Sequence, residues 1–267
     1  MAESGFTPTA AMYKVLLKAH AALGDTAAVE SLLSSMRAAG EEVPPETLAA
    51  LAKGYGHGGH WEAAEEALEA VLNSDTTTDM RVITVTAFVH ACSRAGDLPH
   101  IVRWLQRLPS LGLVPTPRMW EIAVSTAHEA GDAAAADALW REAGGATYFG
   151  LYKVLVPPEE GASSGWTMLV DHPAQQEHAP GAALDLSTCT AGVIHTALRA
   201  EVSWLRMQPV PSVLYVYYIQ TSAPDEHAIA ASEAAAVMEA VGLHISAVPG
   251  TPGLFKASLP SHSSMQQ

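Results

Sequence analysis

Asp185, Ser187, His195 and His227 place a carboxylate, a hydroxyl and two imidazoles in the C-terminal third of the chain. Asp185 and Ser187 with either histidine could form an acid–base set, because an imidazole titrates near neutrality and can pass a proton that a carboxylate helps to orient. The same residues also read structurally. Asp185 lies between Leu184 and Leu186, the setting of a strand-end residue that caps the next helix, and His195 falls beside Ile194 inside a helical stretch.

Other reactive types are scattered. His57 and His60 stand near a turn with no Cys or further His at ligand spacing, so no metal site is expected, and no cofactor motif is present. Cys92 sits at a core position of a helical pattern and reads as a small buried hydrophobe, and with Cys189 far along the chain neither is read as half of a disulfide, in keeping with a reducing compartment.

The elements that must position these groups show themselves as a period. Gly24, Gly59, Gly96 and Gly131 fall 35, 37 and 35 residues apart, each but Gly59 followed by Asp. Eleven residues before each glycine stand Tyr13, Leu48, Val85 and Trp120, with apolar residues three and four further on. Five residues after each stand Val29, Ala64, Ile101 and Ala136, again continued at helical spacing. Each unit is therefore predicted to be helix, tight turn, helix, with Gly at positive φ and Asp capping the second helix. Stacking of such pairs predicts a four-repeat solenoid, its core centred on Leu16, Leu33, Phe88, Trp104 and Trp140, with a groove lined by one helix of each pair.

The period fails after Ala146. Tyr148–Val156 and Trp166–Val170 read as short strands or as capping elements in a linker. Past Ala182 the pattern is strand (Ala183–Leu186), helix (Thr190–Met207), strand (Val213–Ile219), helix (Ala228–Val241) and two strands (Ile245–Val248, Leu254–Leu259), a small α/β domain with a mixed sheet. The expected organisation is a helical repeat array over residues 8–145, a linker or capping segment over 146–182, the α/β domain over 183–260 and a disordered tail over 261–267.

The segments Met12–Gly40 and Thr84–Pro115, with their Ala-Gly-Asp-like turns, Leu/Met-rich second helices and Gly-Leu-Val-Pro ending, resemble the pentatricopeptide repeat (PPR) family. Leu184-Asp185-Leu186 leading into a helix, the LYVYYI strand and the closing segment GLHISAVPGTPGLFKASL resemble the Smr (small MutS-related) domain. The two together resemble the organellar PPR–Smr group of plants and algae. That resemblance implies single-stranded RNA as a ligand, one base facing each repeat, and a chloroplast or mitochondrial location, chloroplast slightly favoured, with no transit peptide on this chain. It also implies nuclease activity in some members, tied to a Leu-Asp-x-His motif and a Thr-Gly-x-Gly loop.

This chain departs from both patterns. Ser187 stands where the motif has histidine, and the loop after Ile219 reads Gln220-Thr221-Ser222-Ala223-Pro224, without glycine. A serine hydroxyl cannot shuttle protons near neutrality, and a loop without glycine cannot bring its backbone close to a phosphate. Asp185 is the one catalytic candidate left. The base-facing positions that the resemblance implies, ten residues before each turn glycine, carry Lys14, Ala49, Thr86 and Glu121, with Pro45, Val82 and Pro117 as partners of the first three. Only Thr86 fits a base-reading role, and Pro or Val cannot hydrogen-bond a base edge through the side chain.

Composition sets the remaining bounds. The 267 residues carry 14 Lys and Arg against 28 Asp and Glu, a net charge of −14, and no stretch is apolar enough to span a membrane. Divided at Ala146, the halves hold 10 basic against 18 acidic and 4 against 10 residues, so neither is basic, and no basic stripe is visible along the sequence. The expected function is a non-catalytic PPR–Smr binding or scaffold factor in organellar gene expression, a component of a ribosome or transcription assembly. Its partners are proteins of that assembly, with weak binding of single-stranded RNA and no small-molecule substrate. The alternatives are a sequence-guided RNA-binding or processing factor and an Smr-type endonuclease.

Overall fold

The computed structural model describes residues 9–40, 43–145, 150–156, 167–169, 182–209, 212–218 and 235–260. The chain is mostly helical and ends in a mixed sheet. It divides into two compact units, Met1–Thr126 and Ala127–Gln267.

Four helix–turn–helix pairs form where the period predicts them: α1 (Ala10–Ala22) with α2 (Thr26–Ala38), α3 (Pro45–His57) with α4 (Trp61–Asn73), α5 (Thr78–Arg94) with α6 (Leu98–Arg107), and α7 (Pro117–Glu129) with α8 (Ala133–Ala143). The four turn glycines have φ of 70°, 75°, 70° and 75°, a region a Cβ disfavours. Asp25, Asp97 and Asp132 accept hydrogen bonds from the amides of Ala28 (3.0 Å), His100 (3.2 Å) and Ala135 (2.9 Å), so each caps its second helix. His60, at the fourth such position, makes no side-chain cap; its ring lies where a Cβ on Gly24 would collide with it.

In the first unit α1 packs on α3 and α3 on α5. Small residues let them approach closely. A Cβ built on Gly54 would lie 2.9 Å from the Cβ of Ala21, and one on Gly56 would lie 3.0 Å from that of Ala91. The core holds Leu17, Met36, Leu68, Phe88, Ile101, Trp104, Leu105 and Leu108. Leu16 and Leu33, expected at its centre, are only half-buried. They sit at the edges of their apolar stripes, and Leu17 and Met36 occupy the inward positions. Phe88 meets Trp104 edge-on at 5.6 Å and Trp61 at 6.1 Å, and the Trp104 indole N–H donates to Glu65 (2.8 Å).

In the second unit α8 packs on α9 (Ala191–Met207), and Trp140 is buried. The six-stranded sheet runs β2 (Thr167–Leu169), β1 (Tyr152–Val156), β3 (Ala182–Asp185), β4 (Leu214–Tyr217), β6 (Leu254–Ser258), β5 (His244–Ala247). Among the described strands only the β3–β4 pairing is parallel. The segments read as strands or caps are thus strands, and β1 joins the sheet by pairing with β3. Register places Tyr152, Leu184, Val216 and Phe255 in one buried row. From that row the Tyr152 hydroxyl donates to the buried carboxylate of Glu201 on α9, and Val193, Ala197, Val202 and Leu205, expected inside that helix, are buried. Of the helix expected over Ala228–Val241, residues 235–240 are described as helical.

Candidate functional site

At the C-terminal end of β3, where parallel strands β3 and β4 end side by side, Asp185 is half-buried opposite Tyr217. Its Oδ1 accepts from the Ser187 hydroxyl at 2.6 Å and from the Ser187 amide at 3.1 Å. The carboxylate therefore closes a local turn; it does not cap α9, whose N-cap residue is Thr190 and lacks a side-chain cap. Burial raises the Tyr217 phenol above its ordinary value, and the Asp185 charge adds to that. Asp185 has no hydrogen bond or ion pair to His195 among the described residues. His195 stacks on His128 at 4.8 Å, and burial, then His128 and Arg199, hold its imidazole below the ordinary value. Arg199 is itself bonded to Asp137 through Nε (2.9 Å) and a terminal nitrogen (2.6 Å). The structure thus does not bring His195 to the Asp185–Ser187 pair. His227 and the loop after Ile219 lie outside the described residues.

The four groove positions differ in what they can offer. Lys14 is exposed, while Ala49, Thr86 and Glu121 are half-buried. Thr86 donates its hydroxyl proton to the Val82 carbonyl (2.7 Å), and Glu121 accepts from Arg118 (2.7 Å). Neither is arranged to read a base edge.

Beside them lies a feature that contradicts the expected absence of a basic stripe. Six residues before the turn glycines stand Lys18, Lys53 and His90, and two residues before them stand His57 and Arg94. With Lys14 these lie at i, i+4 and i+8 of their helices, hence on one face. All six are exposed. Lys14, Lys18, Lys53 and Arg94 make no ion pair with any described carboxylate. The His57 imidazole is held below its ordinary value by desolvation first, then by Arg94, Lys53, His90 and Lys18, which places positive charge from three helices around one ring.

The second helices are built the opposite way. Together α1, α3 and α5 carry five Lys and Arg against two Asp and Glu, a net of +3, whereas α2, α4 and α6 carry three against five, a net of −2. On α6, Arg107 is paired with Glu69 of α4 (2.7 Å) and Arg103 with Glu65. Reading along the chain misses the cationic face because its members lie about a repeat apart. Its signal in the sequence is the recurrence of basic side chains six and two residues before the turn glycines.

Cys92 is buried, and its thiol is pushed up to about 12 by burial and then by Asp97 and Glu65, so it stays neutral at its core position. Both cysteines are free thiols. No group of three His, Cys, Asp or Glu among the described residues is arranged to hold a metal, and no described helix is long and apolar enough to cross a membrane. No protein-family model matches the chain, and no curated protein matches it.

Proposed function

We propose that the chain is a non-catalytic binding or scaffold factor of the PPR–Smr kind in chloroplast or mitochondrial gene expression, acting within a ribosome or transcription assembly. In this reading the helix pairs stack as a PPR-type solenoid and the α/β unit is an Smr-type domain kept for contacts. The observation that carries it is the engagement of Asp185: its Oδ1 is taken by the hydroxyl and amide of Ser187, the residue that stands in place of the motif's histidine. A carboxylate so occupied, with no described imidazole bonded to it, lacks among the described residues the partner that would move a proton.

A second reading, an RNA-binding factor, is favoured by the unpaired cations on α1, α3 and α5, since phosphate neutralisation supplies most of the affinity of proteins for nucleic acid. Tagged protein recovered from organelle extract, with and without ribonuclease, separates the two. Stoichiometric partners that survive ribonuclease support the scaffold reading. Partners lost on ribonuclease treatment support the RNA reading, and recovery of the chain alone in both arms contradicts both.

A further inference from the structure

Resting on the RNA-binding reading, we infer that the exposed face of α1, α3 and α5 is a phosphate-tracking site blind to base identity. It holds a single-stranded RNA backbone through Lys14, Lys18, Lys53 and Arg94, with His57 and His90 between them.

The geometry of the face supports this in three ways. Gly54 against Ala21 and Gly56 against Ala91 bring the three helices together at side chains of minimal size, toward the near end of the usual ~8–10 Å interaxial range. The cation columns of successive helices therefore run close beside one another, as a polyanion with evenly spaced charge requires. Around His57 the neighbouring charges are all positive, as its depression records, so an anion laid there relieves repulsion as well as adding attraction; the carboxylates of this register, Glu46 and Asp79, lie toward the N-terminal ends of α3 and α5 and make no ion pair with the cations among the described residues. On α7 the same register carries Glu121 and Ser125 in place of the cations.

The chemistry at this face disfavours base reading. Ala49 has no polar atom to offer, the Thr86 hydroxyl proton is given to Val82, and Glu121 is held by Arg118 and repels phosphate. Nor does the face suit a partner helix, which docks through large apolar anchors. The exposed apolar residues of α1, Met12, Val15 and Leu23, fall outside the positions that carry Lys14 and Lys18. Ile83 of α5 is the one exposed large apolar side chain among the described residues in the register of the cations, and a single anchor among four cations fits a ligand whose charge lies on its backbone.

The test titrates the full chain against labelled oligo(U), oligo(A) and oligo(C) RNA of equal length over a series of salt concentrations, with polyglutamate and anionic vesicles as competitors at matched charge. Four permanent cations on a single strand give a slope of log Kobs against log salt of about −3. Affinities for the three RNAs are expected to agree within about threefold, and Lys18→Glu with Lys53→Glu to weaken all three by about 30-fold or more. Arg37→Glu with Arg206→Glu, an equal change of charge on exposed positions elsewhere, is expected to weaken them by about threefold at most. One RNA bound about 30-fold more tightly than the others, with the Lys18/Lys53 variant unaffected, overturns the inference and leaves the RNA-binding reading standing. No binding to any RNA at low salt overturns both. Polyglutamate or vesicles competing as well as RNA overturn the assignment of the ligand.

Discussion

Among the described residues of Met1–Thr126 the buried polar side chains are threonines, Thr47, Thr84 and Thr126, and the hydroxyls of Thr84 and Thr126 bond the carbonyls of Met80 and Ile122 one turn back. In Ala127–Gln267 a glutamate is buried beside a threonine, Thr196: Glu201, 2% exposed, accepts from the hydroxyl of Tyr152 across from helix to sheet. Helix pairs satisfy their backbone internally and need only apolar contact to stack, so their charges stay outside and remain available to a ligand. A helix on a sheet must be held at one position along the strands, and a buried polar pair specifies that position where apolar contact alone tolerates sliding. The contrast separates a unit that displays charge from one that uses it internally.

The largest effect is expected where the first unit depends on apolar packing. Trp104→Ala removes the buried side chain that meets Phe88 edge-on and donates to the Glu65 carboxylate, and should cost about 3–5 kcal/mol in urea melts. A cost below about 1 kcal/mol would place the core elsewhere. Next comes the buried pair of the second unit. Tyr152→Phe keeps the ring and deletes one donor to the Glu201 carboxylate, for about 1–3 kcal/mol. If it is silent, the buried carboxylate does not hold helix to sheet and the contrast between the units fails.

An ionic contact at the surface should matter less. Arg103, more than half exposed, pairs with Glu65, and Arg103→Ala is expected to cost under about 1 kcal/mol, less in high salt. A loss as large as that of Tyr152→Phe would show that the first unit, too, depends on its charges for stability.

The smallest effect concerns pH. His195 is held below its ordinary value in the folded unit by burial, then by His128 and by Arg199, which is ion-paired with Asp137. A depressed imidazole takes up its proton more readily in the unfolded chain. Unfolding therefore binds a proton as the pH falls through the ordinary imidazole value, about 6.5, and stability declines until the folded group also protonates. The fall in melting temperature between neutral pH and mildly acidic pH should shrink in His195→Gln. An unchanged fall would assign the acid sensitivity to other groups.

The helix pairs were legible because each signal is local: a glycine that must adopt positive φ, an aspartate three residues before the amide it caps, and apolar residues one turn apart. Repetition averaged out the errors, and even His60 in place of Asp did not hide its turn. Leu16 and Leu33 were misplaced because a period of 3.6 locates a stripe but not which of two adjacent leucines points inward. The strands of the second unit were seen, but their order was not, since β1 reaches β3 through hydrogen bonds that no local pattern announces. Of the candidate site, Asp185 and Ser187 were legible as residues and their hydrogen bond was not. The cationic face was missed because its six members are neighbours only across helices.

The account's central claim is that this chain binds without cutting, and end-labelled single-stranded RNA incubated with the full chain and Mg²⁺ or Mn²⁺ tests it in one gel series. The account predicts RNA shifted under native conditions at low salt and intact when the same samples are denatured. Strand cleavage that disappears in Asp185→Asn would contradict it, showing that the Asp185–Ser187 turn belongs to a working active site.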